Sequence, residues 1–394
     1  MKKTLLLFVI IAFILSSSIN AQWVKTSGPN NGAVYSLAIS GSYIFAGTYN
    51  GFFYSTNSGN SWTQTSLKDL PVFCITISGN KIYAGTTDGI FLSTNNGTNW
   101  KQFNAFFVTI HSLIISGSNI YLGTDYKGVY RSTNNGTNWF STPLNNKLVH
   151  ALALKVSNNI IAGTYENGVY ISTNNGNNWT QTSLNNKNIN SILVSGNYIF
   201  AGTDNSGVLL TTNSGNTWVQ TSLNNENVYC LYVNENNIFA GTSNGVYLSK
   251  NNGTNWILKN QGFSTTQSVN FLSIANSYIF AGTSGKYVWK RLFSEIIGIK
   301  NISSKIPSEF SLSQNYPNPF NPTTKIQFDI PKANNVLIKI YDIAGKEINT
   351  LVNEKFDAGT YETEWHAENY SSGVYFYTLT AGEFKETKRM ILAK

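Results

Sequence analysis

Apolar and polar residues alternate along residues 22–291 in a unit that recurs seven times. One copy contains three apolar segments, Val149–Leu154, Asn159–Thr164 and Gly168–Ser172, followed by a polar turn and a fourth segment that begins at Trp179. Short segments rich in β-branched and aromatic residues and separated by turn residues predict β-strands. Because the first two segments are apolar on both faces, each predicted sheet must be covered on both sides.

Two markers give the period of the unit. A Gly-Thr pair ends the second strand, and successive pairs lie about 38 to 41 residues apart, at Gly47, Gly85, Gly123, Gly163, Gly202, Gly241 and Gly282. A polar octet that ends in Trp follows the third strand of six units, at Ser55–Trp62, Ser93–Trp100, Ser132–Trp139, Ser172–Trp179, Thr211–Trp218 and Ser249–Trp256. Its Asn and Gly residues are turn formers. Four strands in about 40 residues are typical of β-propeller blades.

The ends of this region predict how the ring closes. The seventh unit stops after its third strand, Tyr287–Trp289, and has no octet. The segment Trp23–Ser27 matches the start of a fourth strand such as Trp62–Ser66. We therefore predict that the N-terminal strand completes the seventh sheet and hides the edges of an open array. An open solenoid is the alternative.

The C-terminal region has a different pattern. Residues 292–314 lack the repeat and are interpreted as a linker, and a proline-dense opening follows from Asn315. Four alternating segments come next, at Thr324–Ile330, Val336–Tyr341, Thr360–Trp365 and Gly373–Leu379. Residues 315–394 are therefore predicted to form a small antiparallel sandwich. The predicted fold is all-β: a seven-bladed β-propeller over residues 22–291, closed by its N-terminal strand, then an immunoglobulin-like β-sandwich.

The first 21 residues have the features of a signal peptide. Lys2 and Lys3 precede an apolar run, Leu5–Leu15, and Ala21 comes directly before Gln22. This run is too short to span a bilayer. Export through the periplasm is expected, with a retained membrane anchor as the alternative.

Composition excludes some partners. Aromatic residues make up 14% and charged residues only 12% of the chain, as is common in extracellular β proteins. The formal charge of +8 is spread over isolated lysines without a basic run, so no nucleic-acid partner is expected. Cys74 and Cys230 occupy equivalent positions four repeats apart, too distant for a disulfide.

The octets resemble the Asp-box of sialidase-type propellers, Ser-x-Asp-x-Gly-x-Thr-Trp. Asn stands where that family usually has Asp, at Asn57, Asn95, Asn134, Asn174, Asn213 and Asn251. Asn caps the same turn without adding charge. The resemblance implies that the octets occupy one rim of the propeller and that ligands meet the opposite face.

The last 80 or so residues resemble the C-terminal sorting domain of proteins exported by the type IX secretion system. The motif residues include Asn315, Pro317, Pro319, Phe320, Gly359, Tyr361, Gly373, Tyr375 and Lys388. The resemblance implies recognition by the outer-membrane translocon. It also implies removal of the domain by a sortase-like peptidase, with the remainder released or attached to the cell surface. A generic immunoglobulin-like adhesion module is the alternative.

Variable positions near the predicted channel mouth are the candidate ligand-binding residues. One column in the first strands contains Tyr35, Phe73, His111, His150, Asn190, Tyr229 and Asn270, and the loops after the second strands add Tyr49, Tyr126 and Tyr165. Aromatic faces beside hydrogen-bonding groups suit a sugar or a peptide. The alternative is that these residues only line the channel and its turns.

Catalysis is not expected. Sialidases hold a carboxylate with an arginine cluster, whereas this chain contains only Arg131, Arg291 and Arg389. Another glycosidase or a lyase would have to use carboxylates from the set Asp88, Asp125, Glu166 and Asp204, all next to turn residues. His111 and His150 could supply half of a metal site, but no third ligand is evident, so no metal or other cofactor is expected. The leading hypothesis is a non-enzymatic module that binds a glycan or a protein. A surface enzyme and a structural protein without ligand are the alternatives.

Overall fold

A computed structural model describes residues 22–30, 32–104, 108–156, 159–303, 305–367 and 370–394. The signal peptide predicted for residues 1–21 lies outside these residues. Among them, no helix is long and apolar enough to cross a membrane.

Seven four-stranded antiparallel sheets form the propeller. The first strand is β1 (Val24–Lys25), and the first three blades are β2 (Val34–Ser40), β3 (Tyr43–Thr48), β4 (Gly51–Ser55) and β5 (Thr63–Lys68); β6 (Val72–Ser78), β7 (Lys81–Thr86), β8 (Gly89–Ser93) and β9 (Lys101–Asn104); and β10 (Ile110–Ser116), β11 (Asn119–Thr124), β12 (Gly128–Ser132) and β13 (Phe140–Ser141). In each blade the first strand is innermost and the fourth is at the outer edge.

The next three blades repeat this order. They are β14 (Val149–Val156), β15 (Asn159–Thr164), β16 (Gly168–Ser172) and β17 (Thr180–Gln181); β18 (Ile189–Ser195), β19 (Tyr198–Thr203), β20 (Val208–Thr211) and β21 (Val219–Gln220); and β22 (Val228–Asn234), β23 (Asn237–Thr242), β24 (Gly245–Ser249) and β25 (Ile257–Leu258). The seventh blade contains β26 (Val269–Ala275), β27 (Tyr278–Thr283) and β28 (Val288–Leu292), with β1 as its fourth strand.

The N-terminal strand closes the ring, as predicted. Val24 pairs with Lys290 across β1 and β28. Trp23 is 2% exposed and stacks on Phe263 with ring centroids 5.0 Å apart. Its indole nitrogen donates a hydrogen bond of 2.7 Å to the carbonyl of Lys259. The segment is therefore anchored by side-chain burial as well as by its strand pairing.

The Gly-Thr pairs mark where adjacent blades touch. A Cβ at Gly47 would lie 2.7 Å from Cγ1 of Val72 in the next blade, and one at Gly282 would lie 2.7 Å from Cγ1 of Val34 in the first. Only glycine allows an approach this close. The hydroxyl of Thr48 donates to the carbonyl of Gly51 at 2.9 Å, so it holds the turn after the second strand. The contact from the seventh to the first blade completes the circle.

The octets are hydrogen-bonded turns that also link blades. In the first octet, the Ser55 hydroxyl accepts the amide of Gly59 at 2.9 Å, and Oδ1 of Asn57 accepts the amide of Ser61 at 2.9 Å. Gly59 has a φ of 79°, which glycine adopts without strain. The indole nitrogen of Trp62 donates to Thr26 Oγ1 at 3.3 Å, in the neighbouring seventh blade. Trp100, Trp179 and Trp218 make the equivalent inter-blade bond.

Two antiparallel sheets form the C-terminal sandwich. Their strands are β29 (Lys300–Ser303), β30 (Ser311–Leu312), β31 (Thr323–Ile330), β32 (Asn334–Tyr341), β33 (Glu347–Phe356), β34 (Gly359–His366), β35 (Gly373–Ala381) and β36 (Phe384–Leu392). One sheet has the order β29-β34-β31-β30 and the other β33-β32-β35-β36. Side chains such as Phe328, Trp365 and Tyr377 are almost fully buried between them.

Residues 292–314 differ from the linker that the sequence predicts. Helix α1 spans Phe293–Ile296, and both end residues are buried. The ring of Phe293 lies 5.9 Å from that of Phe239 in the sixth blade, and Lys250 donates a hydrogen bond to the carbonyl of Ile297. The segment then supplies β29 and β30 to the sandwich. Its apolar residues thus pack against both parts of the chain.

Candidate functional site

A cavity of about 450 Å³ lies on the inner strands of the propeller. Its lining includes all seven column positions, namely Tyr35, Phe73, His111, His150, Asn190, Tyr229 and Asn270. We call these residues the channel ring. The sequence thus brings one variable side chain from every blade to a single cavity.

A shift in strand pairing explains why these side chains face the channel. In the first blade, Val34 pairs with Thr48 and Ser36 pairs with Gly47, so Tyr35 between them is an extra residue. The same shift occurs at the ring residue of every other blade. A bulge of this kind re-aims a side chain and is common next to functional sites.

Four consecutive blades contribute a continuous arc of aromatic rings. Tyr35 and Phe73 stack with centroids 5.1 Å apart, and Phe73 lies 5.4 Å from His111. His111 and His150 meet edge to face at 4.8 Å. This arc offers flat apolar surface along one side of the channel.

Asparagines dominate the other side. The amide nitrogen of Asn190 donates to Asp204 Oδ1 at 2.6 Å and to the carbonyl of Val228 at 3.2 Å. Asn270 makes the corresponding bond to the carbonyl of Val34 at 3.0 Å. These amides therefore join neighbouring blades as well as lining the cavity.

The two histidines have different electrostatic environments. Nε2 of His111 lies 2.6 Å from Oδ1 of Asp125, a residue of the loop on the same blade. The pKa of His150 is lowered to about 4, first by burial and then by His111, against opposing effects of Asn190 and two carboxylates. His150 is therefore a neutral imidazole at physiological pH.

The loops after the second strands carry exposed tyrosines. Tyr126 is 65% exposed, Tyr49 is 55% exposed and Tyr165 is 37% exposed. Tyr126 has a φ of 49°, in the left-handed region that bulky residues seldom occupy. Glu166 and Asn205 occupy the same loop position in the next two blades with φ of 64° and 57°, so this is the turn conformation of these loops.

The four carboxylates of the enzyme hypothesis lie on four successive blades. Asp88 and Glu166 are exposed. Asp125 contacts His111, and Asp204 accepts hydrogen bonds from Asn190 and, at 3.1 Å, from Asn188. Only Asp125 and Asp204 are bound directly into the network around the channel ring.

Potential metal ligands and the two thiols complete the inventory of reactive groups near the cavity. They contain no group of three or more His, Cys, Asp or Glu able to hold a metal ion. Cys74 and Cys230 are unbridged and line the cavity. Burial raises the pKa of both thiols to about 12, so both stay protonated.

Sequence reasoning missed Asn188, two positions before a ring residue. Its side-chain oxygen accepts the amide of Glu166 at 2.8 Å, while its amide nitrogen holds Asp204. Aligned repeats contain the signal, because Asn227 in the next unit accepts the amide of Asn205 in the same way at 2.7 Å.

Several sorting-motif residues stabilise the sandwich. Asn315 is 2% exposed, and its side chain donates to Thr324 Oγ1 at 2.9 Å. Phe320 packs against Trp365 with centroids 5.5 Å apart. The hydroxyl of Tyr361 donates to the carbonyl of Asp357 at 3.0 Å. Tyr375 makes a similar bond to Ser371, and Lys388 pairs with Glu386 at 2.9 Å.

The fold defines a closed seven-bladed β-propeller followed by a β-sandwich, and comparison with known families identifies the second part. Residues 314–393 match the family model described as "Secretion system C-terminal sorting domain". The sandwich is therefore a type IX secretion sorting domain, and the protein is secreted or displayed at the cell surface. No curated protein matches the chain.

Several solved structures share the propeller fold. YCF48 from Cyanidioschyzon merolae matches with a TM-score of 0.57 and 13% identity, over 69% of this chain and 99% of its own. The extracellular domain of BT4673 from B. thetaiotaomicron matches with a TM-score of 0.59 and 21% identity, over 84% of this chain and 47% of its own. The GH74 xyloglucanase from Xanthomonas campestris matches with a TM-score of 0.55 and 12% identity, over 78% of this chain and 59% of its own. This chain thus spans about half the length of the last two structures. Identities this low establish the fold alone.

Proposed function

We propose that the exported propeller is a non-enzymatic binding module that takes a glycan or a protein segment at the mouth of its channel. The observation that carries this proposal is the convergence of seven bulged ring residues on one cavity of about 450 Å³. A cavity of this size suits a few sugar units or a short peptide segment. The seven ring positions carry four residue types, Tyr, Phe, His and Asn, whereas the Gly-Thr pair of the second strand is identical in every blade.

The two sides of the channel support a ligand with both apolar and polar faces. The aromatic arc from Tyr35 to His150 offers stacking surface, and the opposite side offers amide groups. Known relatives of the fold are consistent with both ligand classes. YCF48 has been solved bound to D1 peptide, and a GH74 relative is named a xyloglucanase.

The test is a binding screen of the chain from residue 22 to 394 against immobilised surface polysaccharides and peptides. We expect Phe73→Ala to weaken capture of the bound ligand. Phe140→Ala removes an aromatic ring that is 56% exposed on an outer strand, so it should leave capture unchanged. Equal binding by both variants would count against the channel mouth, and a screen without any ligand would support the structural alternative.

The sorting domain implies partners of its own. We propose that the translocon recognises the sandwich and that a sortase-like peptidase then removes it. Because β29 and β30 belong to the sandwich, a clean deletion should begin at Lys300 instead of Asn315. We expect this truncated protein to remain in the periplasm, as shown by cell fractionation. Unchanged delivery to the surface would contradict the assignment.

The contact between His111 and Asp125 is the observation that favours the enzyme alternative. The His111–Asp125 contact of 2.6 Å resembles the pairing of a general base with its orienting carboxylate. If the protein is a glycosidase or a lyase, incubation with a polysaccharide panel releases products, and Asp125→Asn abolishes the release. Binding without product release supports the module.

A further inference from the structure

The third to fifth blades form a distinct sector of the channel mouth, centred on His150. On the third blade Asp125 contacts His111, and on the fifth Asp204 contacts Asn190, both at 2.6 Å. His150 lies between them, edge to face with His111, and Asn190 partly opposes the lowering of its pKa. Each of the two ring residues beside His150 is therefore hydrogen-bonded to a carboxylate.

The loops after the second strands have the same length throughout this sector. The Gly-Thr hydroxyl reaches a carbonyl three residues on in the first, second and sixth blades, but four residues on in the third, fourth and fifth. The longer loops of the third and fourth blades present Tyr126 and Tyr165 to solvent. The seventh blade also has a longer loop, but there Tyr287 is covered by Lys25, whose Nζ lies 3.4 Å from the ring centroid.

The charges around the cavity disfavour an anionic ligand. Among the described residues that line the cavity, none is Lys or Arg. Asp125 is hydrogen-bonded to His111, and Asp204 accepts hydrogen bonds from the amides of Asn188 and Asn190. Both carboxylates therefore already have hydrogen-bonding partners within the protein, and neither is left unpartnered for a ligand cation.

Three lysines, Lys127, Lys147 and Lys187, lie in loops of blades three to five, and none is among the residues that line the cavity. Lys187 donates to the hydroxyl of Ser206 at 2.9 Å. Lys127 is exposed, where an ion pair contributes little to affinity. An anionic ligand inside the cavity would thus contact no lysine or arginine among the described lining residues.

We propose that this sector, the loops and ring residues of blades three to five, binds an uncharged carbohydrate chain. Pyranose faces stack on Tyr126 and Tyr165, and sugar hydroxyls bond to His150 and to the remaining lone pairs of Asp125 and Asp204. This inference rests on the proposed binding function and narrows it to one ligand class. It also predicts affinity that does not depend on salt, because no net charge is neutralised.

Isothermal titration of the chain from residue 22 to 394 with uncharged gluco-, manno- and xylo-oligosaccharides tests the inference. We expect at least one series to bind and Tyr126→Ala to weaken it roughly 3- to 10-fold, the usual value of an aromatic stacking contact. The Phe140→Ala control should leave affinity unchanged, because that ring is on an outer strand. Affinity should be the same in about 20 mM and about 500 mM salt.

Each remaining outcome counts against the inference, and the screens separate it from the proposed function. Binding only of sulfated or uronic oligosaccharides, a steep loss of affinity in salt, or full affinity of Tyr126→Ala would overturn it. If a peptide binds instead and Phe73→Ala weakens it, the carbohydrate assignment fails while the binding module stands. If no glycan or peptide binds, both fail.

Discussion

His150 predicts how the stability of the protein depends on pH. Its pKa is lowered from 6.5 to about 4 by burial and by His111, only partly opposed by Asn190, Asp125 and Asp204. An unfolded chain therefore takes up a proton at this residue near pH 6.5, whereas the folded chain resists protonation until about pH 4. Stability from this residue is complete above the unfolded pKa and is lost as the pH falls through that window.

The size of the effect follows from the shift. Each pH unit inside the window costs about 1.4 kcal/mol when only the unfolded state is protonated. Between pH 7 and pH 5 the full loss would be about 2 kcal/mol, and partial exposure of the ring reduces it to about 1 to 2 kcal/mol. A difference of this size is measurable for a domain of ordinary stability.

The assay is urea unfolding at both pH values, followed by tryptophan fluorescence, for the unmodified protein and His150→Asn. Asn already occupies the equivalent ring position in two other blades, at Asn190 and Asn270, so the variant fits the site and cannot titrate. We expect the unmodified protein to lose about 1 to 2 kcal/mol more than the variant on going to pH 5. Equal losses would refute the assignment of His150 as a buried, neutral ring.

Three other substitutions test how the blades of the closed propeller are held together. Trp23→Ala removes an almost fully buried anchor and should cost about 3 to 5 kcal/mol in chemical denaturation, while Val24→Ala, at 56% exposure, should change stability by about 0.5 kcal/mol or less. Gly282→Ala places a Cβ 2.7 Å from Val34, so its melting temperature should fall, and an unchanged value would contradict a closed ring. Asn57→Ala loses the octet cap at a cost of about 1 kcal/mol in the same assay, whereas Asn57→Asp keeps the acceptor for Ser61 and should match the unmodified protein.

The sequence was sufficient to predict the propeller and its closure. The last unit lacks a fourth strand, and a single strand precedes the first unit. The simplest prediction is that this strand completes the last sheet, and the β1–β28 pairing confirms it. The Gly-Thr and octet markers were also informative, because each reflects a local steric or hydrogen-bonding requirement that recurs, in all seven blades for the Gly-Thr pair and in six for the octet.

The network around the channel was harder to predict. His111 and Asp125 are 14 residues apart, and they meet because the bulge turns the histidine toward the following loop. Hydrophobic periodicity does not reveal a bulge of one residue. The interpretation of residues 292–314 as a linker was wrong for a related reason. Phe293 and Ile296 are buried by residues distant in the sequence, which a local pattern does not reveal.

The most direct test of the binding surface is hydrogen–deuterium exchange of the chain from residue 22 to 394, with and without the tightest uncharged oligosaccharide. We expect slower amide exchange in residues 125–127 and 165–167 and in the innermost strands at His111 and His150, and no change in the octets. Protection confined to the octet rim or to the outer strands would contradict the assignment of the channel mouth as the site.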